Sequence, residues 1–405
     1  MIQLDTLIPP SDRIAEPATA TNATDTTDGL PQASASPPIS PVPAAGLPRS
    51  AYTSRKYLQR ERQTVFKNYW VFVGCASQVA NPGDMLPVDV AGMPLVLVRD
   101  RAGQLRAFHN ICSHRGLQLV SKPCQNQGRI RCPYHSWAYQ LDGTLKSTPH
   151  FGGYYQDTYD GFDRASEDLK AVRCDVWHDW VFVNLSGDAP PLADYLKPVS
   201  DRWTDYDLSL LRRGPEISFE CAANWKLAVE NFSESYHLPW VHPALNGCSR
   251  MEDHFGFDVG PDHVGQGSRL YQIGSLEGRT LPLFSGLEAC DRTTVAEYVS
   301  IFPNLMLGVH PDYFIAFTVN PIAPDRSLER MIFYFVGDAA MAPELEALRH
   351  IPVHLWKITN EEDIIMIERM QTGRQSPAFD GGCFSPALEQ TVRQFQHLVH
   401  QAVNR

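Results

Sequence analysis

The segment CSHRGLQLVSKPCQNQGRIRCPYHSW, residues 112–137, contains two short motifs that each combine a cysteine with a histidine. The first is Cys112-x-His114 and the second is Cys132-x-x-His135, with seventeen residues between them. Thiolates and neutral imidazoles are metal ligands, so the two motifs predict one site with four protein ligands. A structural zinc site is the simplest alternative, but zinc fingers usually pair Cys with Cys and His with His. The mixed order suits a [2Fe–2S] cluster with two thiolates on one iron and two imidazoles on the other.

This order and spacing resemble those of a Rieske iron–sulfur domain. The resemblance implies that Cys112 and Cys132 bind one iron of the cluster and that His114 and His135 bind the other. Neutral imidazoles in place of two thiolates reduce the negative charge around the cluster and raise its reduction potential.

A further cysteine, Cys124, lies between the two motifs. In Rieske proteins of the respiratory type, each cluster loop carries an additional cysteine, and the two form a disulfide bond. The matching positions here are Leu117 and Tyr134, which cannot form one. The missing disulfide is typical of Rieske domains that supply electrons to oxygenases, and we expect no metal role for Cys124. Trp137 is expected to pack around the cluster.

The composition is typical of a globular enzyme with more than one domain: 405 residues, of which 43% are hydrophobic and 20% charged. A net charge of −11 argues against a nucleic-acid partner, because phosphate binding requires clustered Lys and Arg. The sequence contains no apolar run of about eighteen residues and no secretory signal pattern, so neither a membrane span nor export is expected. Nine cysteines, a sparse and odd number, favour a reducing compartment, and we expect the cytoplasm.

Composition and patterning divide the chain into four segments. Residues 1–50 contain nine of the 31 prolines and no aromatic residue, which predicts a disordered tail. Residues 51–69 are predicted to be helical. Residues 70–186 contain short β-type runs separated by turn residues, which predict a small all-β Rieske domain. Residues 187–405 are predicted to form a larger second domain.

The second domain is predicted to be an antiparallel sheet covered by helices, a helix-grip arrangement, so the fold class is α+β. Several β-type runs lie within residues 297–336. Helical patterns cover residues 223–237, about 343–371 and roughly 385–403.

A second candidate metal site lies in NWKLAVENFSESYHLPWVHPAL, residues 224–245. His237 and His242 are five residues apart and would not face one point on a straight helix, but Pro239 ends or kinks the helix between them. Two histidines and one carboxylate form the facial triad of non-heme Fe(II) oxygenases. An isolated pair with this spacing is more often two surface histidines. This segment, however, resembles the catalytic domain of Rieske non-heme iron oxygenase α subunits, which implies His237 and His242 as iron ligands.

The third ligand must be a distant carboxylate. The stretch TNEEDIIMIERMQTG, residues 359–373, contains Glu361, Glu362, Asp363 and Glu368. The resemblance implies Asp363 as the ligand, because family members carry an acidic pair here with Asp as the ligand. Glu362 is the main alternative, and an acidic helix start is by itself often only favourable to the helix dipole.

Glu234 lies three residues before His237, and we expect both side chains on the same helical face. The resemblance implies that an acidic residue here bridges to a cluster histidine of the neighbouring subunit and couples electron transfer. Glu resembles the branch that oxidises quaternary amines such as betaines and carnitine, whereas ring-dihydroxylating members usually have Asp. A solvated helix charge is the alternative. Asn231 and Tyr236 are candidates for contacts to the ligand side chains, because iron-bound imidazoles usually donate their second N–H.

The resemblance implies a terminal oxygenase with one [2Fe–2S] cluster and one mononuclear Fe(II) per subunit. It also implies a homotrimer in which electrons pass from the cluster of one subunit to the iron of the next. An NAD(P)H-dependent flavin or iron–sulfur reductase, acting directly or through a ferredoxin, is the expected partner, because this sequence has no Gly-rich dinucleotide motif. The alternatives are an aromatic-ring-hydroxylating dioxygenase α subunit and a Rieske electron-transfer protein without oxygenase activity.

We expect O2 and a small organic substrate, with an amine ranked above an aromatic ring. Aromatic side chains bind cationic amines through their ring faces. The candidate aromatic residues are Tyr271, Phe284, Tyr298, Phe302, Tyr313, Phe317 and Trp356. Such residues are also common in plain sheet cores, so they discriminate little between the two substrate classes. His310 is expected to be structural.

Overall fold

The structure, a computed structural model, describes residues 46–405. Residues 46–50 were expected to belong to the disordered tail, and for them that prediction is wrong. Leu47 is buried, and its backbone N–H donates to the side-chain oxygen of Gln396 at 2.7 Å. The remainder of the predicted tail, residues 1–45, lies outside the described residues.

Two helices precede the first sheet, α1 (Ser50–Thr53) and α2 (Arg55–Asn68). The side chain of Ser54 accepts a hydrogen bond from the N–H of Tyr57 and so caps the start of α2, whose first N–H groups have no partner within the helix. The buried face of α2 carries Leu58, Glu61, Val65 and Phe66.

Nine strands form the predicted all-β unit. They are β1 (Val71–Cys75), β2 (Met85–Val90), β3 (Met93–Arg99), β4 (Leu105–His109), β5 (Ile130–Arg131), β6 (Ala138–Tyr139), β7 (Leu145–Ser147), β8 (Ala171–Trp177) and β9 (Trp180–Asn184). A six-stranded antiparallel sheet has the order β1-β9-β8-β4-β3-β2, and a small sheet has the order β5-β6-β7.

Strand β3 shows how this unit is built from alternating side chains. Leu95 and Leu97 belong to the main hydrophobic core of the chain. Val96 and Val98 belong to a second, smaller core that also contains Cys112 and Cys132. Successive side chains of a strand point to opposite faces of the sheet, so β3 separates the two cores.

A seven-stranded antiparallel sheet forms the centre of the second unit. Its strands are β10 (Leu211–Cys221), β11 (His254–Phe257), β12 (His263–Ser268), β13 (Ala296–Ile301), β14 (Leu305–Val309), β15 (Tyr313–Ala323) and β16 (Arg326–Val336), in the order β10-β16-β15-β14-β13-β12-β11. β13–β16 coincide with the β-type runs predicted in residues 297–336, whereas β10–β12 were not predicted. Nearly every residue of β13–β15 is buried, because both faces of the sheet are covered.

Six helices accompany this sheet: α3 (Leu192–Arg202), α4 (Trp225–Phe232), α5 (Leu238–Val241), α6 (Pro243–Cys248), α7 (Glu346–Gly373) and α8 (Gln390–Asn404). Two contacts fix α7 on the sheet. Trp356 Nε1 donates to the hydroxyl of Tyr313 at 2.9 Å, and Asn360 Nδ2 donates to Glu329 at 2.9 Å. The α+β class, with a small all-β domain and a sheet packed against helices, is confirmed.

The helix predicted over residues 223–237 is wrong for its last five residues, 233–237. Helix α4 ends at Phe232, and the side chain of Ser233 donates to the carbonyl oxygen of Val229 at 2.6 Å. A Ser side chain that bonds the backbone competes with helix propagation. The chain therefore leaves the helix before Glu234 and His237, and these two residues do not share a helical face.

Within residues 46–405, no helix combines the length and the apolar composition that a bilayer crossing would require.

Candidate metal centres

The two Cys/His motifs form loops with the same backbone hydrogen bonding. In each loop the cysteine N–H donates to the carbonyl oxygen five residues later, at 2.8 Å in both cases. The cysteine carbonyl accepts from the N–H four residues later, and that residue has a positive φ: Gly116 after Cys112 and Ser136 after Cys132. The loops therefore share one geometry, although only the first has the glycine that favours this backbone conformation.

The four predicted cluster ligands lie together, with the sulfurs inside and the imidazoles toward the surface. Cys112 and Cys132 are buried, and the rings of His114 and His135 are 4.7 Å apart. Within the described part of the chain, the buried Nδ1 atom of His135 has no hydrogen-bond partner. Such an atom is costly unless it binds something, so the donor set fits a cluster held by two thiolates and two imidazoles.

Aromatic side chains surround these ligands. The ring of His114 stacks on Trp137, with 4.8 Å between centroids and 11° between planes, as the packing role of Trp137 predicts. The hydroxyl of Tyr139 lies 3.4 Å from Cys112 Sγ and 2.9 Å from Ser113 Oγ. Burial raises the pKa of the Cys112 thiol, and the neighbouring Cys132 thiol contributes to this increase. A hydroxyl beside a cluster sulfur is one of the groups that set the reduction potential.

Cys124 lies beside strand β2 and packs against the small core that also contains Cys112 and Cys132. Its backbone exchanges two hydrogen bonds with Met85, which makes it part of the sheet edge. None of the nine cysteines, all in the described part of the chain, forms a disulfide. Leu117 and Tyr134, which stand where a respiratory-type Rieske domain has cysteines, are both exposed.

Two short helices bring the second pair of histidines together. His237 precedes α5, and His242 lies between α5 and α6. Pro239 lies in the first turn of α5 and so begins a helix, and the sequence-based prediction that it ends or kinks one is wrong. The first turn tolerates proline, because the N–H that proline lacks would have no partner there. The short helix α5 and the turn at His242 bring both imidazoles close to one point.

His237, His242 and Asp363 form a three-residue group whose ligand atoms all lie within 4.8 Å of one another. Asp363 Oδ1 is 2.8 Å from His242 Nε2 and 3.5 Å from His237 Nε2. Two imidazoles and one carboxylate that converge in this way fit the facial triad of a mononuclear iron site. Asp363 is contributed by α7, more than a hundred residues along the chain from the histidines.

Two further carboxylates face the outer nitrogens of the same histidines. Glu234 Oε1 lies 2.5 Å from His237 Nδ1, and Glu362 Oε2 lies 2.7 Å from His242 Nδ1. Carboxylates in these positions fix the ring orientation and leave Nε2 free for a metal. Burial of His242 lowers its pKa, but the hydrogen bonds that its ring donates to the carboxylates of Asp363 and Glu362, with the negative charge of these acids, outweigh this effect and raise the pKa overall. The site is thus an acidic environment suited to a cation.

The remaining candidates divide into those that contact the triad and those that do not. Asn231 Nδ2 donates to Asp363 Oδ1 at 2.9 Å. The Tyr236 side chain is 45% exposed, and only its backbone N–H contacts the carboxylate of Glu234. Glu361 pairs with Lys357 on the surface. The structure therefore brings Asn231 to the site, whereas Tyr236 and Glu361 lie outside the group of contacting side chains.

A pocket of about 550 Å³, including its open mouth, adjoins the triad. Four aromatic side chains contribute to its walls: Phe232, Tyr298, Phe317 and Trp356. The last three are among the aromatic candidates from the sequence. The acidic residues of the pocket are Glu234 and Asp363, and none of its described lining residues is Lys or Arg.

One polar part of the pocket was not predicted. Ser249, His254 and Gln266 line it, from the end of α6, the start of β11 and the middle of β12. Ser249 Oγ lies 3.1 Å from His254 Nε2. Burial lowers the pKa of His254 to about 4, so its ring is neutral near pH 7. No motif in the sequence marks these residues, because separate strands bring them to the pocket.

Two protein-family models match the chain, and together they include both sites. The Rieske [2Fe-2S] domain matches residues 69–159, and the catalytic domain of the ring hydroxylating alpha subunit matches residues 208–405. The chain belongs to the Rieske non-heme iron oxygenases, as a terminal oxygenase α subunit. The Rieske model includes the two Cys/His loops, and the catalytic-domain model includes the His/His/Asp group.

This Rieske oxygenase is similar to subunits with named activities. It is 27% identical over 382 residues to a glycine betaine monooxygenase oxygenase subunit of Chromohalobacter salexigens, covering 86% of this chain and 84% of that protein. It is 27% identical over 350 residues to a carnitine monooxygenase oxygenase subunit of Escherichia coli, covering 84% and 87%. The solved structure of a quaternary ammonium Rieske monooxygenase has the same fold, with a TM-score of 0.74, 23% identity and coverage of 89% and 96%.

Proposed function

We propose that this oxygenase hydroxylates, or oxidatively N-demethylates, a small quaternary or tertiary amine with O2 and electrons from a separate reductase. The observation that carries the proposal is the pocket beside His237, His242 and Asp363. Its aromatic walls suit a cationic ammonium group, and its described lining contains two carboxylates but no Lys or Arg. The similarity to glycine betaine and carnitine monooxygenase subunits supports the same substrate class.

The side chains around the triad have distinct roles in this proposal. His237, His242 and Asp363 would hold a mononuclear Fe(II), which supplies the activation of O2 when bound. Glu234 and Glu362 hold the Nδ1–H groups of the two imidazoles, so that each Nε2 faces the iron position. The amide of Asn231 restrains the Asp363 carboxylate. Phe232 and Trp356 exclude water and position the substrate.

The position of Glu234 supports a role in electron transfer between two subunits. Cys112, Cys132, His114 and His135 would hold the cluster, with the two imidazoles nearest the surface. The Glu234 carboxylate contacts the triad histidine His237 directly. We propose that it couples this histidine to a cluster histidine of the neighbouring subunit, in agreement with the resemblance to the family.

Two exposed apolar regions support a head-to-tail homotrimer. Leu117 and Tyr134 are exposed on the cluster loops, at 38% and 57%. Tyr236 and Trp240 are exposed beside the triad, at 45% and 79%. Contact between two different surfaces of identical subunits is heterologous and closes into a ring when the rotation allows it. Such a ring would place each cluster beside the triad of the next subunit.

The reductase and the compartment belong to the same proposal. The matched families contain a Rieske domain and a catalytic domain, so we propose that NAD(P)H is oxidised by a separate flavin or iron–sulfur protein. The nine cysteines, none of them in a disulfide, support a reducing compartment such as the cytoplasm.

Aromatic-ring dihydroxylation is the second candidate. The described pocket lining has no Lys or Arg that could pair with a carboxylate, but this applies to a betaine as much as to an aromatic acid and does not separate the two. A neutral aromatic ring remains compatible with the apolar walls. A Rieske electron carrier without oxygenase activity is disfavoured because the His/His/Asp group is intact.

A substrate panel tests the proposal. The iron-loaded protein and a surrogate reductase would be supplied with NAD(P)H, O2 and one of four compounds: glycine betaine, carnitine, benzoate or naphthalene. We expect substrate-dependent O2 uptake and a demethylated or hydroxylated product from an ammonium compound. His237→Ala should abolish turnover while the visible spectrum of the cluster persists. Turnover of naphthalene alone would favour the dioxygenase. No turnover together with two irons per chain, where three are expected, would indicate an electron carrier.

A further inference from the structure

Two aromatic side chains of the pocket wall are hydrogen-bonded to residues behind them. Trp356 Nε1 donates to the hydroxyl of Tyr313 at 2.9 Å, and the hydroxyl of Tyr298 lies 3.1 Å from His310 Nε2. Trp356 and Tyr298 line the pocket, whereas Tyr313 and His310 are not among its described lining residues. The polar atoms of both wall residues are therefore directed away from the pocket, and carbon atoms of the two rings remain to face it.

The residues behind the wall pack on one another. Tyr271, His310 and Tyr313 form a support cluster in which each residue is at most 4% exposed. The hydroxyls of Tyr271 and Tyr313 are 2.8 Å apart, and the ring of His310 stacks on Tyr313 with 4.0 Å between centroids and 10° between planes. Tyr271 lies between β12 and β13, His310 lies between β14 and β15, and Tyr313 begins β15. Three separate segments of the chain therefore hold one another in place.

The orientation of the two wall rings matters for a cationic ligand. The ring centroids of Tyr298 and Trp356 are 6.0 Å apart, with 65° between planes. The attraction between a cation and an aromatic ring requires the cation over the ring face, within about 6 Å of the centroid. A ring that rotates away from this orientation loses part of the attraction, although the pocket keeps its apolar lining.

The support cluster adds no charge behind the wall. Burial lowers the pKa of His310 to about 3, so its ring is neutral near pH 7. Burial raises the pKa of Tyr271 and of Tyr313, so both hydroxyls remain protonated. The cluster therefore orients the two rings without repelling an ammonium group in the pocket.

We propose that Tyr313 and His310 are positioning residues, which fix the ring planes of Trp356 and Tyr298 for contact with the ammonium group of the substrate. The hydroxyl of Tyr271 holds that of Tyr313 in turn. This inference rests on the proposed amine substrate. It assigns part of the substrate affinity to buried side chains that do not line the pocket.

A double-variant cycle tests whether Tyr313 acts through Trp356. Isothermal titration calorimetry under anaerobic conditions would measure the binding of glycine betaine, carnitine and tetramethylammonium to the iron-loaded protein. Tyr313→Phe removes only the hydroxyl, and we expect it to weaken binding about 3-fold to 10-fold, part of the attraction between a desolvated cation and a ring. Trp356→Phe removes the N–H group but retains an aromatic ring. In this background Tyr313→Phe should have no further effect, because the hydrogen bond is already absent.

The second contact is tested in the same way. Tyr298→Phe removes the hydroxyl that contacts His310 and should also weaken binding, and His310→Phe should have no further effect in that background. Tyr334→Phe is the matched control. Its hydroxyl is also buried in the sheet, but it contacts Cys75 and Asp179, and Tyr334 is not among the described lining residues. This control should change the affinity by less than about twofold, because distant sites act independently.

The failure of this role is distinguishable from the failure of the proposed function. If the unaltered protein binds none of the three ammonium compounds, the amine class is wrong, and the positioning role falls with it. If the unaltered protein binds them and Tyr313→Phe binds them equally well, the amine class stands and the positioning role is refuted. Equal weakening by Tyr313→Phe with and without the Trp356 N–H group would also overturn the proposal, since it would indicate a general loss of packing.

Discussion

His242 Nε2 lies 2.8 Å from Asp363 Oδ1. On the opposite side of the ring, Nδ1 lies 2.7 Å from Glu362. Two neighbouring residues of α7 therefore contact the two nitrogens of one imidazole. A metal ligand and an orienting carboxylate occupy different positions around a coordinating histidine, so we propose different roles for the two acids.

The two acids should differ in their effect on bound iron. We expect Asp363→Asn to lose the mononuclear iron and all turnover, because the triad loses its only anionic ligand. Glu362→Gln should retain iron, with an affinity about 10-fold to 100-fold lower, as is typical when the partner of a metal-bound histidine is changed. Metal analysis would measure iron per chain, with the cluster absorption as internal reference. Glu361→Gln is the matched control, since Glu361 pairs with Lys357 on the surface. Loss of iron from Glu362→Gln with retention in Asp363→Asn would reverse the assignment.

The contact between Glu234 and His237 predicts a defect in electron transfer without loss of metal. Glu234→Gln keeps an oxygen that can accept from His237 Nδ1 but removes the negative charge. We expect unchanged iron content and an unchanged cluster spectrum, with turnover lowered at least about tenfold. Stopped-flow oxidation of the reduced cluster by O2 and substrate would slow in parallel. Glu252→Gln, an exposed carboxylate nearby in sequence, controls for the change in net charge. Near-normal cluster oxidation in Glu234→Gln would contradict the coupling role.

The two Cys/His loops and the pair His237 and His242 could be proposed from the sequence because each set lies within a short stretch, and the structure brings the members of each set together. Close spacing in the chain limits where the donor atoms can be, and the motifs are specific. Only the family resemblance favoured Asp363 over Glu362, because adjacent residues on a helix point about 100° apart and packing decides which one faces the site. His254 could not be found at all, since strand pairing and the turn after α6 bring it to the pocket.

The difference between local sequence pattern and tertiary contact also explains which strands were predicted and which were missed. β13–β16 carry long apolar runs, and these were visible in the sequence. β10 contains Gly214 and Pro215 at a bulge, and β12 reads HVGQGS, so neither has the composition of a typical strand. β10 forms at the edge of the sheet because β16 supplies its hydrogen-bond partners, and β12 forms between β11 and β13, where all six of its residues are buried. Such tertiary stabilisation is not encoded in local propensity.

A buried ion pair connects the N-terminal helix α2 to α4, the helix that leads to the triad. Glu61 and Lys226 are fully buried, with 2.6 Å between Oε1 and Nζ, and Trp225 Nε1 also donates to Glu61. We expect Lys226→Met to lower the free energy of unfolding by about 3–5 kcal/mol, because it leaves a buried carboxylate without its cation. Glu61→Gln/Lys226→Met should recover much of this loss, since the amide is neutral and still accepts from Trp225. Urea unfolding followed by tryptophan fluorescence would measure both.

An exposed ion pair provides the control for that comparison. Lys197 and Asp201 are 2.7 Å apart, with side chains 66% and 62% exposed. Lys197→Met should change the unfolding free energy little, because exposed pairs are well solvated when broken. A double variant as unstable as Lys226→Met would show that packing, not the unpaired charge, dominates at the buried site.

Asp312 predicts a specific dependence of stability on pH. It is buried between β14 and β15, Oδ1 has no hydrogen-bond partner within the described residues, and burial raises its pKa to about 7. The unfolded chain releases this proton near pH 4, whereas the folded protein retains it up to about pH 7. The neutral carboxyl therefore favours folding at low pH, and this contribution is lost as the pH rises from about 4 to about 7. Asp312→Asn is neutral at every pH. Relative to the unaltered protein, it should gain about 2–3 kcal/mol of stability between about pH 5 and about pH 8.

Urea unfolding at several pH values would measure this gain directly. Asp325→Asn changes an exposed aspartate on the turn between β15 and β16, and it serves as the control for the substitution itself. The difference between Asp312→Asn and the unaltered protein should grow with pH, while the difference for Asp325→Asn should remain flat. Parallel stability curves for Asp312→Asn and the unaltered protein would mean that the carboxyl is already ionised in the folded state at low pH. In that case an unobserved partner must compensate its burial, and the raised pKa would be wrong.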